Sequence, residues 1–445
     1  MKFVIIGGDA AGMSAASRAK RNMPDLDVVV FEKTLDVSYS ACGMPYNLQD
    51  PKRDMNDLIV RTAKAFQEKQ GIKVMLNHKA VSIDPNNQEI FVETPTNSFR
   101  ETYDKLLIAT GATPIIPSVD GIKNNGIFVL KSLEDGRRIK NYILSNNVKS
   151  SLIIGMGYIA LEMCEAFRSL DIEVTMIKPR PKLIPWMNEQ LSQVVKKELE
   201  EHQTQLIFGQ ELKTVEKKGG ALVAHFNSMD IATDLILLAI GITPNSQLAK
   251  EAGLELGPKG AISVNRQMQT SNPNIYSAGD CADSFHVVTG RKVWIPLALR
   301  ANRGGYAVAD HISGRQVHMD GVAGTAVFKL FDLEVARTGL SLEEAKEAGF
   351  DPQEVVIESR SRAHAHPGSS TIYCQMVGDK GTGKLLGCQM VGREGCAHRI
   401  NAVAVALHKG MLVEEYAQCD LAYAPPFSPV WDPTLVAANQ LLRKL

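Results

Sequence analysis

Two short glycine runs carry the first chemistry in this sequence, Gly7-Gly8-Asp9-Ala10-Ala11-Gly12 and Gly155-Met156-Gly157-Tyr158-Ile159-Ala160. Glycine lets a backbone approach a ligand closely, and the free amides and dipole of a following helix favour negative charge, so each run suits a pyrophosphate. In the first run Asp9 stands where a second fingerprint glycine is usual. Gly7 and Gly12 keep their places, and Glu32 follows at the spacing from which a carboxylate accepts hydrogen bonds from ribose hydroxyls. In the second run the third position is Ala160, and the place of the acid is taken by Lys178-Pro179-Arg180. Basic side chains there either receive a ribose 2′-phosphate, which favours NADPH over NADH, or form a solvated charged turn. A third stretch, Asn274 to Asp280, reads as a strand that ends in an aspartate placed to bind a ribityl hydroxyl; an isolated Gly279-Asp280 would be only a turn. Seven cysteines (42, 164, 281, 374, 388, 396 and 419) are scattered through the chain without paired CxxC spacing, which argues against a disulfide framework or a zinc site.

These residues need elements to hold them. Lys2-Phe3-Val4-Ile5-Ile6, the first glycine run, a small-residue stretch from Met13 to Lys20 and Val28-Val29-Val30-Phe31-Glu32 read as strand, turn, helix, strand. Ser151 to Ile154, the second run, a helical stretch from Leu161 and Val174 to Lys178 repeat that order, so the chain holds two separate nucleotide-binding units. Tyr103 to Pro114 and its echo Asp234 to Pro244 are buried-strand patterns that end in glycine and proline, where the chain turns. From about Ala323 the pattern changes: Gly324 to Leu330 is apolar and β-rich, Ser341 to Gly349 is a capped helix, and Gly387 to Val391 is another strand, together a third, α+β domain.

Length agrees with that organisation, because 445 residues at about 150 per domain suggest roughly three. Charge is balanced at 49 basic and 49 acidic side chains, so no overall field favours nucleic acid or an anionic membrane, and anionic ligands must be bound locally. The N-terminus runs straight into the first glycine turn instead of a secretory leader, and no stretch reaches the roughly 18 apolar residues of a membrane helix. A soluble, cytoplasmic protein is expected.

The order of GGDAAG, Glu32, ATG (109–111), GMGYIA, AIGITPN (239–245) and YSAGDCAD (276–283) resembles the FAD-dependent pyridine nucleotide-disulfide oxidoreductases over essentially the whole chain. That resemblance implies an α/β fold with two Rossmann-like domains, one for FAD and one for NAD(P)H, followed by a C-terminal α+β dimerisation domain. The boundaries expected are 1–115 and 244–320 for the two parts of the FAD domain, 116–243 for the NAD(P)H domain and 321–445 for the last. FAD would lie against Gly7, Gly8, Ala11, Gly12, Glu32, Lys33, Thr110, Gly111, Gly279, Asp280, Ala298 and Phe427. The nicotinamide cofactor would lie against Gly155, Gly157, Tyr158, Ile159, Glu162 and Gly241, with Lys178 and Arg180 at its ribose.

Within this resemblance Ser38-Tyr39-Ser40-Ala41-Cys42-Gly43-Met44-Pro45-Tyr46 stands out. Dithiol members carry a second cysteine five residues on, where this chain has Asn47, so Cys42 works alone through a mixed disulfide, persulfide or sulfenic acid. A thiol at a helix start beside a flavin is expected to have its pKa lowered. An arbitrary cysteine is more often a small apolar packing group, which is the reading kept for the other six. Peroxidase and many oxidase relatives place a histidine in the first glycine turn, where this chain has Ala10. The stretch Asp420 to Pro433 is similar to the coenzyme A-disulfide and sulfur reductase branch, which implies that Tyr423 of a partner subunit reaches Cys42 and Phe427 lies near the flavin; without the family it reads as a rigid interface loop. Where that branch often has a second tyrosine, this chain has His366, either a replacement proton donor or a solvent-facing side chain. Arg18 and Arg21 match helix positions that contact coenzyme A phosphates in relatives, or are plain surface charges, and Ser38 joins them as a substrate contact. The function expected is a homodimeric reductase that passes electrons from NAD(P)H through FAD and Cys42 to a small-molecule disulfide, persulfide or polysulfide, with coenzyme A a candidate adduct on Cys42. No metal, nucleic acid or membrane partner is expected. The alternatives are an NAD(P)H oxidase and a flavin-bound redox sensor without turnover.

Overall fold

The computed structural model describes residues 1–445. Phe3, Val4 and Ile5 have no exposed surface, as befits a strand covered on both faces, and they sit at the centre of a five-stranded parallel sheet. Its order is Ile275–Ser277, Lys105–Ile108, Lys2–Ile6, Asp27–Glu32, Lys73–Leu76. The edge strand Ile275–Ser277 arrives only after the chain has built a second sheet, also parallel, in the order Gln205–Phe208, Glu173–Lys178, Ser150–Ile154, Leu235–Leu238, Ile127–Phe128. The passage between the two is a two-stranded ribbon, Ala112–Pro114 antiparallel to Ile242–Pro244. Both sheets carry a small antiparallel three-stranded layer, at 79–102 and at 214–233. The echoing sequence patterns are thus echoing architectures, each with its glycine turn at the carboxyl end of its central strand.

Small side chains on the first nucleotide helix, Ala10–Asn22, are explained by what crosses it. Helix Ala298–Ile312 packs so closely that a Cβ on its Gly305 would lie 2.3 Å from the carbonyl oxygen of Ala11. Any larger residue at that crossing would force the two helices apart.

The third domain is an antiparallel sheet in the order Ala326–Leu330, Leu333–Gly339, Leu385–Gly392, Thr371–Asp379, Pro352–Arg360. Ser341 caps helix Leu342–Glu347 reciprocally with Glu344, as its sequence predicts. The domains are bridged by apolar contact: the second nucleotide helix, Tyr158–Arg168, shares one core with Met44 and Leu48, which follow Cys42, and with Phe328 and Leu330 of the third domain. No helix is long and apolar enough to cross a membrane.

Candidate functional site

At the end of the first strand Gly7 adopts φ +108°, a left-handed conformation in which a Cβ would lie 2.2 Å from the carbonyl oxygen of Ala109. Only glycine fits. The buried Glu32 braces the same turn: its Oε2 accepts the Gly8 N–H at 2.8 Å and its Oε1 accepts the Thr34 N–H and hydroxyl, each at 2.8 Å. Lys33, beside it, is exposed. Asp9, in the position of the missing glycine, is half-buried near Glu32 and Asp280; burial pushes its pKa up to about 6. Around the same groove stand Ala11 and Gly12 on the first nucleotide helix, Gly111 at φ +69° and Gly279 at φ +87°. Ala298 is exposed at the first turn of its helix. Thr110 is tied across the ribbon, its hydroxyl donating to Asn245 O at 2.6 Å while the Asn245 amide donates to Thr110 O at 2.8 Å. Asp280 accepts from Lys131 at 2.8 Å, and its own carbonyl accepts from the Trp294 indole at 2.7 Å.

Cys42 opens onto this groove from a 3-10 turn, Ala41–Gly43, that continues into the short helix Met44–Leu48. Its thiol departs from the expectation. Although exposed on one side, it is desolvated on the other, and burial pushes its pKa up; Glu162, Asp280 and Asp9 act in the same direction, while the Lys131 ammonium opposes them. A five-residue helix has too small a dipole to outweigh three nearby carboxylates. Asn47 is buried, and its amide donates to Asp54 O at 2.7 Å. From helix Leu133–Asn146 the Lys140 ammonium reaches the carbonyls of Asn47 at 2.9 Å and Asp50 at 2.8 Å, and that of Arg53 as well, so it gathers the end of helix Met44–Leu48 and the loop after it. Ser38, just before, holds φ +50° and donates its N–H to Gly8 O at 3.0 Å, which fixes the cysteine loop to the first glycine turn.

The second glycine turn repeats the first, with Gly155 at φ +119°, and a Cβ on Gly157 would meet nothing within 4 Å. Ile159 is exposed beside it and Gly241, at φ +126°, ends the facing strand. Two expected contacts are placed differently. Tyr158 packs on Trp186 and Phe328, with ring centroids 6.0 and 5.2 Å away, inside the contact with the third domain. Lys178 is buried, and its ammonium donates to Lys182 O at 2.7 Å and Leu183 O at 3.2 Å, so it cross-links its own loop rather than facing a ribose phosphate. Arg180 and Lys182 are the exposed cations of that loop. Glu162 is turned toward the cysteine loop, where its Oε1 accepts the Tyr46 hydroxyl at 3.1 Å.

Arg18 is engaged within the chain. Its guanidinium is held bidentately by Asp310, at 2.8 and 3.1 Å, which leaves Arg21 as the unpaired cation of the pair; both guanidinium groups lie near the Tyr306 ring, at 5.7 and 5.8 Å from its centroid. Tyr423 and Phe427 are exposed on the third domain, 47 and 76 % respectively, and no hydrogen bond joins them to Cys42 within one chain. Their loop is stitched to the His366 turn: Pro425 O accepts the Ala363 N–H at 3.0 Å, and the His366 Nδ1 lies 3.0 Å from Pro367 O. Arg399 anchors the loop through Phe427 O at 2.6 Å and Asp432 at 2.7 Å. Sequence reasoning missed Lys131, Tyr46 and Lys140, because each acts on a partner far along the chain and none belongs to a local pattern.

Open, glycine-lined cradles at both helix starts, with carboxylates behind the first and cations at the rim of the second, fit a flavin dinucleotide and a nicotinamide dinucleotide respectively. Residues 1–305 match the family described as "Pyridine nucleotide-disulphide oxidoreductase", and residues 325–433 match its dimerisation domain. An "NAD(P)H coenzyme A polysulfide/persulfide reductase" of Pyrococcus horikoshii is 39% identical over 448 residues, covering 99% of this chain and 98% of that one. A "Coenzyme A disulfide reductase" of Staphylococcus haemolyticus is 30% identical over 430 residues, 96% of each chain. The solved structure of a NAD-dependent persulfide reductase from A. fulgidus superposes with a TM-score of 0.96 at 34% identity, covering 100% of this chain and 83% of that one. With its two glycine cradles and a lone cysteine between them, this chain belongs to the pyridine nucleotide-disulphide oxidoreductase family, whose cofactors are FAD and NAD(P)H.

Proposed function

We propose that the protein is a homodimeric NAD(P)H-dependent reductase of small disulfides, persulfides or polysulfides, coenzyme A disulfide and coenzyme A persulfide among them. The observation that carries this reading is the isolation of Cys42: it opens onto the flavin groove, and the position where dithiol relatives hold a second cysteine is a buried asparagine engaged with Asp54. A lone thiol cannot finish with an internal disulfide, so its oxidised form must include an outside sulfur or oxygen. The names of the relatives favour sulfur. Ala10, where oxidase and peroxidase relatives place a histidine, points the same way. Seven free cysteines suit a reducing compartment, hence the cytoplasm.

In this reading FAD, when bound, relays two electrons from the nicotinamide to sulfur, and the polypeptide supplies position and protons. Glu32 and Asp280 orient the dinucleotide by its hydroxyls, and the first nucleotide helix faces its pyrophosphate. Lys131 counters the negative charge of the Cys42 thiolate. That thiolate attacks one sulfur of the substrate, the S–S bond breaks, and one thiol leaves; reduction of the Cys42 mixed disulfide then releases the second. Tyr423 of a second copy orients or protonates the leaving sulfur, and Phe427 would lie near the flavin. Arg21 and Ser38 contact coenzyme A substrates, with His366 at the edge of the same site.

The deciding assay compares NADPH oxidation with coenzyme A disulfide, polysulfide or oxygen as acceptor. A rate set by the sulfur acceptor is expected; oxygen uptake equal to NADPH oxidation in the absence of a sulfur acceptor would make the protein an oxidase, and the absence of turnover with any of them would make it a sensor. Tyr423→Phe should slow disulfide reduction about tenfold with FAD content and the KM for NADPH kept; unchanged kcat reduces Tyr423 to an interface residue.

Arg180 is the residue we assign to a 2′-phosphate, since Lys178 is spent inside its loop. Arg180→Ala should raise the KM for NADPH about tenfold and leave that for NADH unchanged, an exposed charge-assisted contact being worth about 1.5 kcal/mol. Lys178→Met, by contrast, should lower thermal stability and shift both nicotinamide KM values together, because it loosens the whole loop.

A further inference from the structure

A lone cysteine has no S–S bond to tie its sulfur down, so the place of Cys42 is set by whatever holds its loop. That loop rests on one face of a helix. In helix Leu133–Asn146 the residues Leu133, Gly136, Arg137 and Lys140 recur at i, i+3, i+4 and i+7, the spacing of a single stripe. Leu133 shares a core with Met44, Leu48, Met55 and Leu58, which flank the cysteine on both sides in sequence. Gly136 leaves room for them: a Cβ there would lie 2.4 Å from Met55 Cε and 3.4 Å from Met44 Sδ. We infer that this helix clamps the cysteine loop and that its Arg137 and Lys140 are positioning residues that fix the Cys42 Sγ for attack, a role that rests on Cys42 being the attacking thiol.

Lys140 holds the segment after the cysteine. Its ammonium has three N–H donors, and three backbone carbonyls converge on it: Asn47 O at 2.9 Å, Asp50 O at 2.8 Å, and Arg53 O. Asn47 O lies near the end of helix Met44–Leu48, whose start adjoins the Cys42 turn. Arg137, one turn earlier on the same stripe, holds the other side. It donates to both carboxylate oxygens of Asp36, at 2.6 and 2.9 Å, and twice to Asn56 Oδ1, at 2.6 and 3.1 Å. Asn56 belongs to a 3-10 turn, Met55–Leu58, against which the cysteine turn is seated. Leu58 O accepts the Ser40 N–H at 2.8 Å, the Val60 N–H donates to Ser38 O at 2.8 Å, and a Cβ on Gly43 would lie 2.5 Å from Leu58 Cδ2. Cys42 thus sits between two segments that are each fastened to the same helix.

The far side of that helix is anchored in the domain of the middle sheet. The Tyr142 ring meets Phe128 with centroids 5.1 Å apart, and its hydroxyl donates to Asp234 O at 3.1 Å. Glu32 and Asp280, which serve the cofactor groove, exchange no hydrogen bond with Arg137 or Lys140. The sulfur is therefore held by one set of contacts and the cofactor turn by another. Attack on a disulfide needs the two sulfurs about 3–3.5 Å apart and aligned, and a displacement of about 1 Å can cost about 10²-fold in rate. Loosening the clamp therefore acts on the sulfur half-reaction and spares the reduction of FAD.

The test follows FAD-loaded variants through three readouts: flavin reduction by NADPH, kcat with coenzyme A disulfide, and the thiolate–flavin charge-transfer absorbance of the NADPH-reduced enzyme. Lys140→Met should lower kcat about 30-fold and weaken the charge-transfer absorbance, while FAD content, the rate of flavin reduction and the KM for NADPH stay as in wild type. Asn56→Ala, at an exposed position, releases only the hold of Arg137 on the 3-10 turn and repeats the test without disturbing the core. It should lower kcat about fivefold and weaken the same absorbance, with an unchanged melting temperature. Arg138→Met, an exposed cation on the same helix but off the stripe, should match wild type in all three readouts. An unaltered kcat and absorbance in Lys140→Met and Asn56→Ala overturns the assignment. A loss in which FAD content, flavin reduction and kcat fall in step overturns it as well, since the helix would then serve the fold and not the sulfur. Failure of the reading on which the clamp rests would be seen separately, as disulfide turnover that persists in Cys42→Ser.

Discussion

Cys42→Ser is expected to lower coenzyme A disulfide or polysulfide reduction by at least about 10³-fold, with FAD still bound and still reduced by NADPH. A serine hydroxyl does not ionise near neutral pH and cannot form a mixed disulfide, so the sulfur relay is cut at one atom. Serine differs from cysteine at residue 42 by one atom, and Glu32, Asp280 and the first glycine turn are untouched, so the change spares the cofactor. No other cysteine can take over. Cys164, Cys281, Cys374, Cys388 and Cys396 are buried; Cys281, the nearest in sequence to Asp280, points its Sγ at the carbonyls of Ile108 and Ala278. Cys419 lies on the third domain. Stopped-flow reduction of the flavin together with steady-state turnover separates the two half-reactions, and turnover kept with a full complement of FAD sinks the mechanism.

The second large effect is expected at Arg300→Met, where the loss is of the cofactor itself. Arg300 is buried at the start of helix Ala298–Ile312, and its guanidinium donates to Gly279 O at 3.1 Å, to Ala282 O at 3.0 Å and to Asp283 O. Those three carbonyls belong to the turn that presents Asp280. Burial pushes the pKa of this guanidinium down, yet Cys281, Asp280 and Asp283 act the other way and favour its charge. Methionine fills much of the volume but leaves two buried acceptors, Ala282 O and Asp283 O, without a donor, while Gly279 O keeps the Ala282 N–H, a cost of about 2 kcal/mol or more. Purified Arg300→Met should therefore show a lowered melting temperature and a fallen ratio of flavin to protein absorbance, both partly restored by excess FAD through mass action. An Arg300→Met protein with full FAD and unchanged melting would show that Asp280 is held by other means.

What was legible in the sequence was what is local. The glycine turns could be read because Gly7 and Gly155 need backbone conformations that other residues avoid, and the strands before them because burial on both faces demands unbroken apolar runs. Asn47 told by its mere identity that Cys42 lacks a thiol partner. Side-chain direction was another matter. Lys178 occupies the position where a ribose contact is expected, but its ammonium folds back onto the carbonyls of the following loop, and nothing in the spacing distinguishes the two outcomes. Arg18 was likewise claimed by Asp310, a residue on a helix almost 300 positions away that the first nucleotide helix meets only in the folded protein. The charge environment of Cys42 was hidden for the same reason: Lys131, Glu162 and Asp280 come from three separate stretches, and the sign of their combined effect follows from assembly rather than from any motif.

The late arrival of strand Ile275–Ser277 bears on how the protein is made. This strand pairs with Lys105–Ile108 alone, and the ribosome delivers it on the order of ten seconds or more after its partner has emerged. Meanwhile the whole middle sheet, from Ile127 to Leu238, is available to fold as an insert. The nascent chain therefore passes through a stage in which the guest domain is finished and its host is not, with one bare strand edge and a dinucleotide groove still lacking Asp280. Capture of FAD then waits until Asp280 has emerged, and until strand Ile275–Ser277 arrives that edge stays open to pairing with the wrong chain.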